Sequence, residues 1–185
     1  MVEKLNFDDK IIETFAIKTI SASYNPIYGE FNWNEKADNF DFIHHNLGVG
    51  LEVSVVITQN TQAVVSYEHS HRKNLDSIKQ VKTDSNGNIL SYYGGSFYEL
   101  RKLIIERIAR KNLKAQRHLK KYNVECQLCL CVDDGGLFEY KEEFDFLLQN
   151  KILENTIFRK IFIITRSLFL VYENGAITSY QRKLA

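Results

Sequence analysis

From Phe97 to Lys121 apolar residues recur at helical spacing, as Phe97, Leu100, Ile104, Ile108, Ala115 and Leu119, and the segment runs directly into the strongly apolar stretch Val124–Val132. A long amphipathic helix feeding a buried strand requires helix and sheet to pack as layers, so the chain reads as a mixed α/β (α+β) fold. At 185 residues, with 44% hydrophobic and 12% aromatic content, it can bury a full core, and residues 1–185 are expected to form one domain.

The remaining elements follow from local pattern. Asp8–Ser21 reads as a first helix with Asp8 as N-cap and a buried stripe of Ile12, Phe15, Ala16, Thr19 and Ile20, ended by Asn25-Pro26. Tyr28–Trp33, Asn39–His44 and Val49–Ile57 read as three strands, Thr61–His71 as a short helix, and Ile78–Tyr92 as a hairpin turning at Ser85–Asn88. After the long helix and its strand come a turn at Asp133–Gly136, a helix over Glu139–Gln149, strands over Lys160–Thr165 and Ser167–Tyr172, a turn at Asn174-Gly175, and a last strand over Ala176–Gln181. No internal repeat or linker interrupts the series.

Within this frame two carboxylates stand out. Leu51–Ile57 alternates, with Leu51, Val53, Val55 and Ile57 on one face and Glu52, Ser54 and Val56 on the other. Upstream, Phe40 and Phe42 are expected on one side of a shorter strand and Asp41 and Ile43 on the opposite side, with His44–Gly50 as the connecting turn. Folded back as a hairpin, these strands bring Asp41 near Glu52. Two carboxylates a few ångströms apart repel unless one is protonated or a cation lies between them, and such oxygen donors suit magnesium. The competing expectation is that both acids are solvent-facing members of half-exposed strands.

The order of elements and the spacing, Asp41, ten intervening residues, then Glu52-Val53-Ser54, resemble the PD-(D/E)xK nuclease superfamily, the restriction-endonuclease-like fold. The resemblance covers most of the chain in element order, as helix, three-stranded meander, long helix and further strands. It implies that Asp41, Glu52 and the Val53 carbonyl hold Mg2+ or Mn2+, and that a lysine two positions after the second acid orients or activates the attacking water. Phe40 replaces the motif's proline. Ser54 occupies the lysine position and cannot supply a cation. Some members carry that lysine on the following helix, and Lys111, inside the apolar stripe of Phe97–Lys121, is the candidate here; a buried lysine needs a partner. The alternative is that Lys111 snorkels from the end of the stripe to water. Glu13 at the edge of the first helix's apolar face is a candidate extra acid.

Net charge is +1, so attraction to nucleic acid must come from local distribution. The long helix concentrates basic residues, and Arg107, Lys114 and Arg117 are candidates for contact with a phosphate backbone, although basic runs on helices are also plain solvated faces.

Other constellations carry less. Cys126, Cys129 and Cys131 fall on both faces of one apolar strand, which suits a core rather than tetrahedral zinc. His69-x-His71 with His44 and His45 is an alternative transition-metal set, and His44 beside the acidic pair is a candidate for tuning a water. Asp133–Gly136 lacks the spaced oxygen ligands of a calcium loop.

The expectation is a magnesium-dependent nuclease acting on DNA; the alternative is a catalytically inactive nuclease-like module that binds nucleic acid or protein, and an unrelated α+β interaction protein is the remaining rival. With no run of 18 apolar residues and no secretory pattern in MVEKLNFDDK, a cytoplasmic location without membrane association is expected, and the odd cysteine count fits reduced thiols. DNA versus RNA, endo versus exo cleavage, sequence preference and oligomeric state, a homodimer among the options, stay open.

Overall fold

A computed structural model describes residues 9–34, 40–69, 76, 78–91, 94–134, 137–149 and 151–183. It is a mixed α/β structure: among the described residues one seven-stranded mixed sheet is flanked by helices. The strands are β1 (Asn32–Trp33), β2 (Phe42–His44), β3 (Val49–Val56), then beyond a separate small hairpin of β4 (Lys82–Thr83) and β5 (Ile89–Ser91), β6 (Glu125–Val132), β7 (Phe158–Ile164), β8 (Phe169–Glu173) and β9 (Ala176–Tyr180). The sheet order is β1-β2-β3-β6-β7-β8-β9. Its two flanks are antiparallel meanders, whereas β3, β6 and β7 run parallel. A parallel pair needs a long crossover. Between β3 and β6 that connection includes α2 (Gln59–His69), the small hairpin and α3 (Phe97–Tyr122); α4 (Phe146–Gln149) lies between β6 and β7.

Because side chains alternate along each strand, the sheet has two cores. One face of β3 and β6 presents Leu51, Val53 and Cys129 to α1 (Asp9–Ser23), whose Ala16, Ile17 and Ile20 are buried there together with Phe162, Phe169 and Val171. The opposite face packs Val56, Cys126, Leu128 and Leu130 against Leu100, Ile104, Ile108 and Ala115 of α3 and against Phe138, Phe144 and Leu147. The cysteines divide between the two faces as the alternation requires. Burial pushes the Cys126 thiol up to about 12 and holds Cys129 well above the ordinary thiol range. Among the described residues no helix is long and apolar enough to cross a membrane.

The ends of α3 are set locally. Ser96 caps its start by accepting from Glu99 N at 3.1 Å, and Asn123 closes it in the left-handed region with φ 46°.

Several elements depart from expectation. Residues 26–30 form a 3-10 turn rather than a strand, because Pro26 stands at its first position and the Asn25 side chain accepts from Ile27 N at 3.0 Å; only Asn32–Trp33 is extended. The predicted helix over Glu139–Gln149 is a 3-10 turn, Lys141–Phe144, followed by the one-turn α4. There Glu143 Oε2 accepts from the backbone N–H groups of Glu139 and Tyr140, so the chain becomes helical only after them. Phe40 precedes β2 and lies in the core under α3 with Ile43, not on the side of Phe42, because the strand's alternation begins only at Phe42. The proposed cap Asp8, and His71, Gly135 and Gly136, lie outside the described residues.

Candidate active site

Phe42 pairs with Leu51, so Asp41, one residue before β2, lies across from Glu52 where the ladder ends. The turn between the strands is a 3-10 turn, His45–Leu47, closed by Gly48 at φ 62°, ψ 41°, a backbone region that glycine enters without a Cβ clash. Two features fix the approach. Asp41 Oδ2 accepts from Val53 N at 2.6 Å. The fully buried Phe40 ring lies on Gly50 so closely that a Cβ there would meet its ring carbons at 2.5, 2.6 and 2.8 Å.

Glu52 has no exposed surface. A buried carboxylate is costly unless paired, and α3 supplies the partners. Lys111 Nζ donates to Glu52 Oε2 at 2.6 Å. Lys114 Nζ reaches Oε2 at 3.3 Å and lies 3.2 Å from Oε1. Oε1 accepts no hydrogen bond, so Lys114 meets it as a charge rather than in a hydrogen-bonding line. His118 Nε2 is 3.9 Å from the same oxygen, and its ring tilts against Phe40 with centroids 5.4 Å apart. One turn before Lys111, Arg107 Nη1 reaches Ser54 Oγ at 3.5 Å. Four basic side chains spaced i, i+4, i+7 and i+11 on α3 therefore face the polar side of β3.

Burial raises the Asp41 carboxyl above the ordinary aspartate range, and the Glu52 charge pushes the same way; Lys111, the Val53 N–H and Lys114 oppose the shift. Electrostatically the two acids form one group. In a strand the N–H and C=O of one residue point to the same side, so the Val53 carbonyl faces the side from which Asp41 approaches. Hard oxygen donors, one of them a buried carboxylate oxygen without a hydrogen bond, fit a small divalent cation such as Mg2+ or Mn2+ whose remaining positions are water or phosphate. Among the described residues no group of three or more His, Cys, Asp or Glu side chains is placed to hold a metal ion.

The structure thus gathers Asp41, Glu52, Val53, Ser54, Lys111, Arg107 and Lys114. Lys111 does not snorkel to water from the end of its stripe; it is held mid-helix by Glu52. Glu13 is not in this group. It lies on α1, which packs on the Leu51 and Val53 face, opposite to Glu52. Arg117 is exposed. His44 follows Ile43 on β2 and faces the α1 side, where it packs edge-on to Phe31 with centroids 5.3 Å apart and its Nδ1 accepts from Leu47 N at 3.3 Å. It therefore cannot tune a water at the acidic pair. His45 is exposed, and the side chains of His69 and His71 lie outside the described residues.

Family models, curated proteins and solved structures contain no match to this chain.

Proposed function

We propose that the protein is a metal-dependent nuclease with a restriction-endonuclease-like core, hydrolysing phosphodiester bonds in DNA. The observation that carries the reading is convergence. Asp41, Glu52 and Lys111 come from a hairpin and a helix far apart in sequence, yet they meet in one largely buried polar cluster with a 2.6 Å bond between Glu52 and Lys111. Unrelated surface acids would have no reason to be desolvated together.

A divalent cation held by Asp41, Glu52 and the Val53 carbonyl would supply Lewis acidity and an acidic water at neutral pH. The chain's own groups perform the rest. Asp41 is held in orientation by the Val53 N–H, so its free oxygen is aimed without loss of side-chain entropy on binding. Lys111 is positioned by Glu52 to offset negative charge that builds on the phosphoryl oxygens in the transition state. Lys114, more exposed than Lys111, draws the phosphate backbone toward the pair.

The test is incubation of purified protein with plasmid, linear and single-stranded DNA in Mg2+ or Mn2+, against EDTA. The expected result is cation-dependent cutting that Asp41→Asn and Glu52→Gln abolish.

A second reading rests on a specific observation: Ser54 stands where the motif has lysine, and both Glu52 oxygens already face ammonium groups. A protein so neutralised would bind nucleic acid without cutting it. Retained DNA binding with no cation-dependent cleavage in the wild type would decide for this inactive module.

A further inference from the structure

Three arginines of the described residues are partly buried, and they differ in how their charge is met. Arg101 donates to the Glu143 carbonyl at 3.3 Å and lies over the rings of Phe97 and Phe146 at 4.7 and 5.0 Å. Arg182 donates to the carbonyls of Thr165 and Arg166 and lies over the Phe15 ring at 5.4 Å. Among the described residues Arg107 meets neither a carbonyl nor a ring. Its hydrogen bond is to the Ser54 hydroxyl, at a long 3.5 Å, and among the described residues no carboxylate comes within ion-pairing distance. Burial, and then the neighbouring Arg110 charge, hold its guanidinium below the ordinary arginine range.

A desolvated guanidinium without an anion is a cost that folding alone does not repay. Its place shows what anion would repay it. Arg107 and Lys111 are one turn apart on α3, about 6 Å of helix rise, and Ser54 and Glu52 are two residues apart on β3, about 7 Å of strand. Helix and strand run in opposite directions there, so Arg107 meets Ser54 as Lys111 meets Glu52. The guanidinium thus stands beside the carboxylate pair, over the one position where the nuclease motif calls for a lysine.

We propose that Arg107, seated on Ser54, is a phosphate-binding residue: its planar fork takes the oxygens of a phosphodiester next to Asp41 and Glu52, adding from α3 a second cation beside Lys111 at the place where Ser54 carries none. The proposal rests on the nuclease reading for its substrate but not for its anion, because any phosphate ester presents the same oxygens.

The experiment measures binding apart from cleavage. Full-length protein in EDTA is titrated with a fluorescein-labelled DNA duplex and followed by anisotropy, with inorganic phosphate as competitor. Arg107→Gln is expected to weaken binding about ten- to a hundredfold, as for loss of a charge-assisted hydrogen bond. Its melting temperature should be unchanged or slightly higher, because a partly buried charge without an ion-pair partner is gone. Lys18→Gln, exposed on α1 across the sheet from this site, should change binding little, and Ser54→Lys added to Arg107→Gln should restore it. Competition by millimolar phosphate that disappears in Arg107→Gln would show an anion site proper; competition equal in both proteins would overturn it. Wild-type affinity in Arg107→Gln would overturn the proposal, as would a loss that accompanies a lowered melting temperature and is not recovered by Ser54→Lys. Cation-dependent cleavage with Arg107→Gln binding unchanged refutes this site and leaves the nuclease reading standing. Arg107-dependent binding in a protein that never cuts refutes the nuclease reading and leaves the phosphate site.

Discussion

The Lys111 ammonium lies 2.6 Å from Glu52 Oε2, joining a carboxylate with no exposed surface on β3 to the middle of α3 across 59 residues of chain. Lys111 keeps 15% side-chain exposure, so the pair is nearly dry on both sides. Removing the cation strands the anion. Lys111→Met is therefore expected to destabilise the fold by about 3 kcal/mol, the low end for a broken buried pair because Lys114 remains in contact. Glu52→Gln should cost less, since freed lysines can extend toward water. Urea unfolding of both single variants and the double variant gives the coupling directly; additive effects would mean the pair is not coupled.

Gly50 and Phe40 make the second prediction. A Cβ at position 50 meets ring carbons of a fully buried side chain at 2.5, 2.6 and 2.8 Å, closer than carbon atoms can pack. Gly50→Ala should cost about 1–3 kcal/mol, the range for overpacking a core. It should also displace Asp41, the next residue after Phe40, so cleavage should fall by more than the loss of folded protein explains. Chemical denaturation and a cleavage assay on the folded fraction separate the two effects.

A divalent cation bound at Glu52 Oε1 would contest that oxygen with Lys114. Its ammonium sits 3.2 Å from Glu52 Oε1 without a hydrogen bond to that oxygen, so moving it aside costs a Coulomb contact and the long 3.3 Å hydrogen bond to Oε2. Lys114→Met should bind Mn2+ more tightly than the wild type by isothermal titration, while Asp41→Asn should bind it more weakly. Equal affinities in all three proteins would place the cation elsewhere.

The alkaline limb of stability should reflect buried acids. Cys126 is raised from 9.0 to about 12 by burial, with Glu52 and Glu125 adding to the shift, and Tyr28 from 10.0 to about 12, again chiefly by burial. For both groups the folded state holds its proton more tightly than the unfolded chain. The stability this contributes is complete below pH 9 and is lost as pH rises from about 9 through about 12. Thermal melts between pH 8 and 11 should show the fall, and Cys126→Ala should remove the part that begins near pH 9. Rapid labelling at pH 8 that peptide mapping assigns to Cys126, rather than to the partly exposed Cys131, would contradict the burial of Cys126.

The parts of the site that were legible in the sequence depend on short-range geometry. Hairpin folding requires Asp41 to approach Glu52, and a lysine inside the apolar stripe of α3 must find a partner. The same wheel carries Arg107, Lys114 and His118 beside Lys111, and their i, i+4, i+7, i+11 spacing is the signal that they also point inward; taken singly, they read as solvated charge. Glu13 could not be placed from its helix alone. Which face of a sheet a helix covers is decided by the crossover, and α1 lies on the face away from Glu52. His44 shows the same limit one residue at a time, since β2 begins at Phe42 and the phase of its alternation settles the side on which the ring falls. Tyr28–Trp33 reads as a strand on its aromatic content, whereas Pro26 and the Asn25 cap impose a helical turn first.

The long excursion from β3 to α3 is gathered at its base, where Thr58 and Thr61 both donate to the Gly94 carbonyl, at 2.7 and 3.2 Å. Beyond that knot, Val64 and Ile78 make a small apolar cluster separate from both main cores. The excursion thus packs on its own apolar cluster rather than on either core beside the acidic pair. Shortening the excursion beyond Thr61 is therefore expected to leave Asp41, Glu52 and Lys111 in their mutual register, with the two threonine bonds to Gly94 acting as the hem that holds the edge.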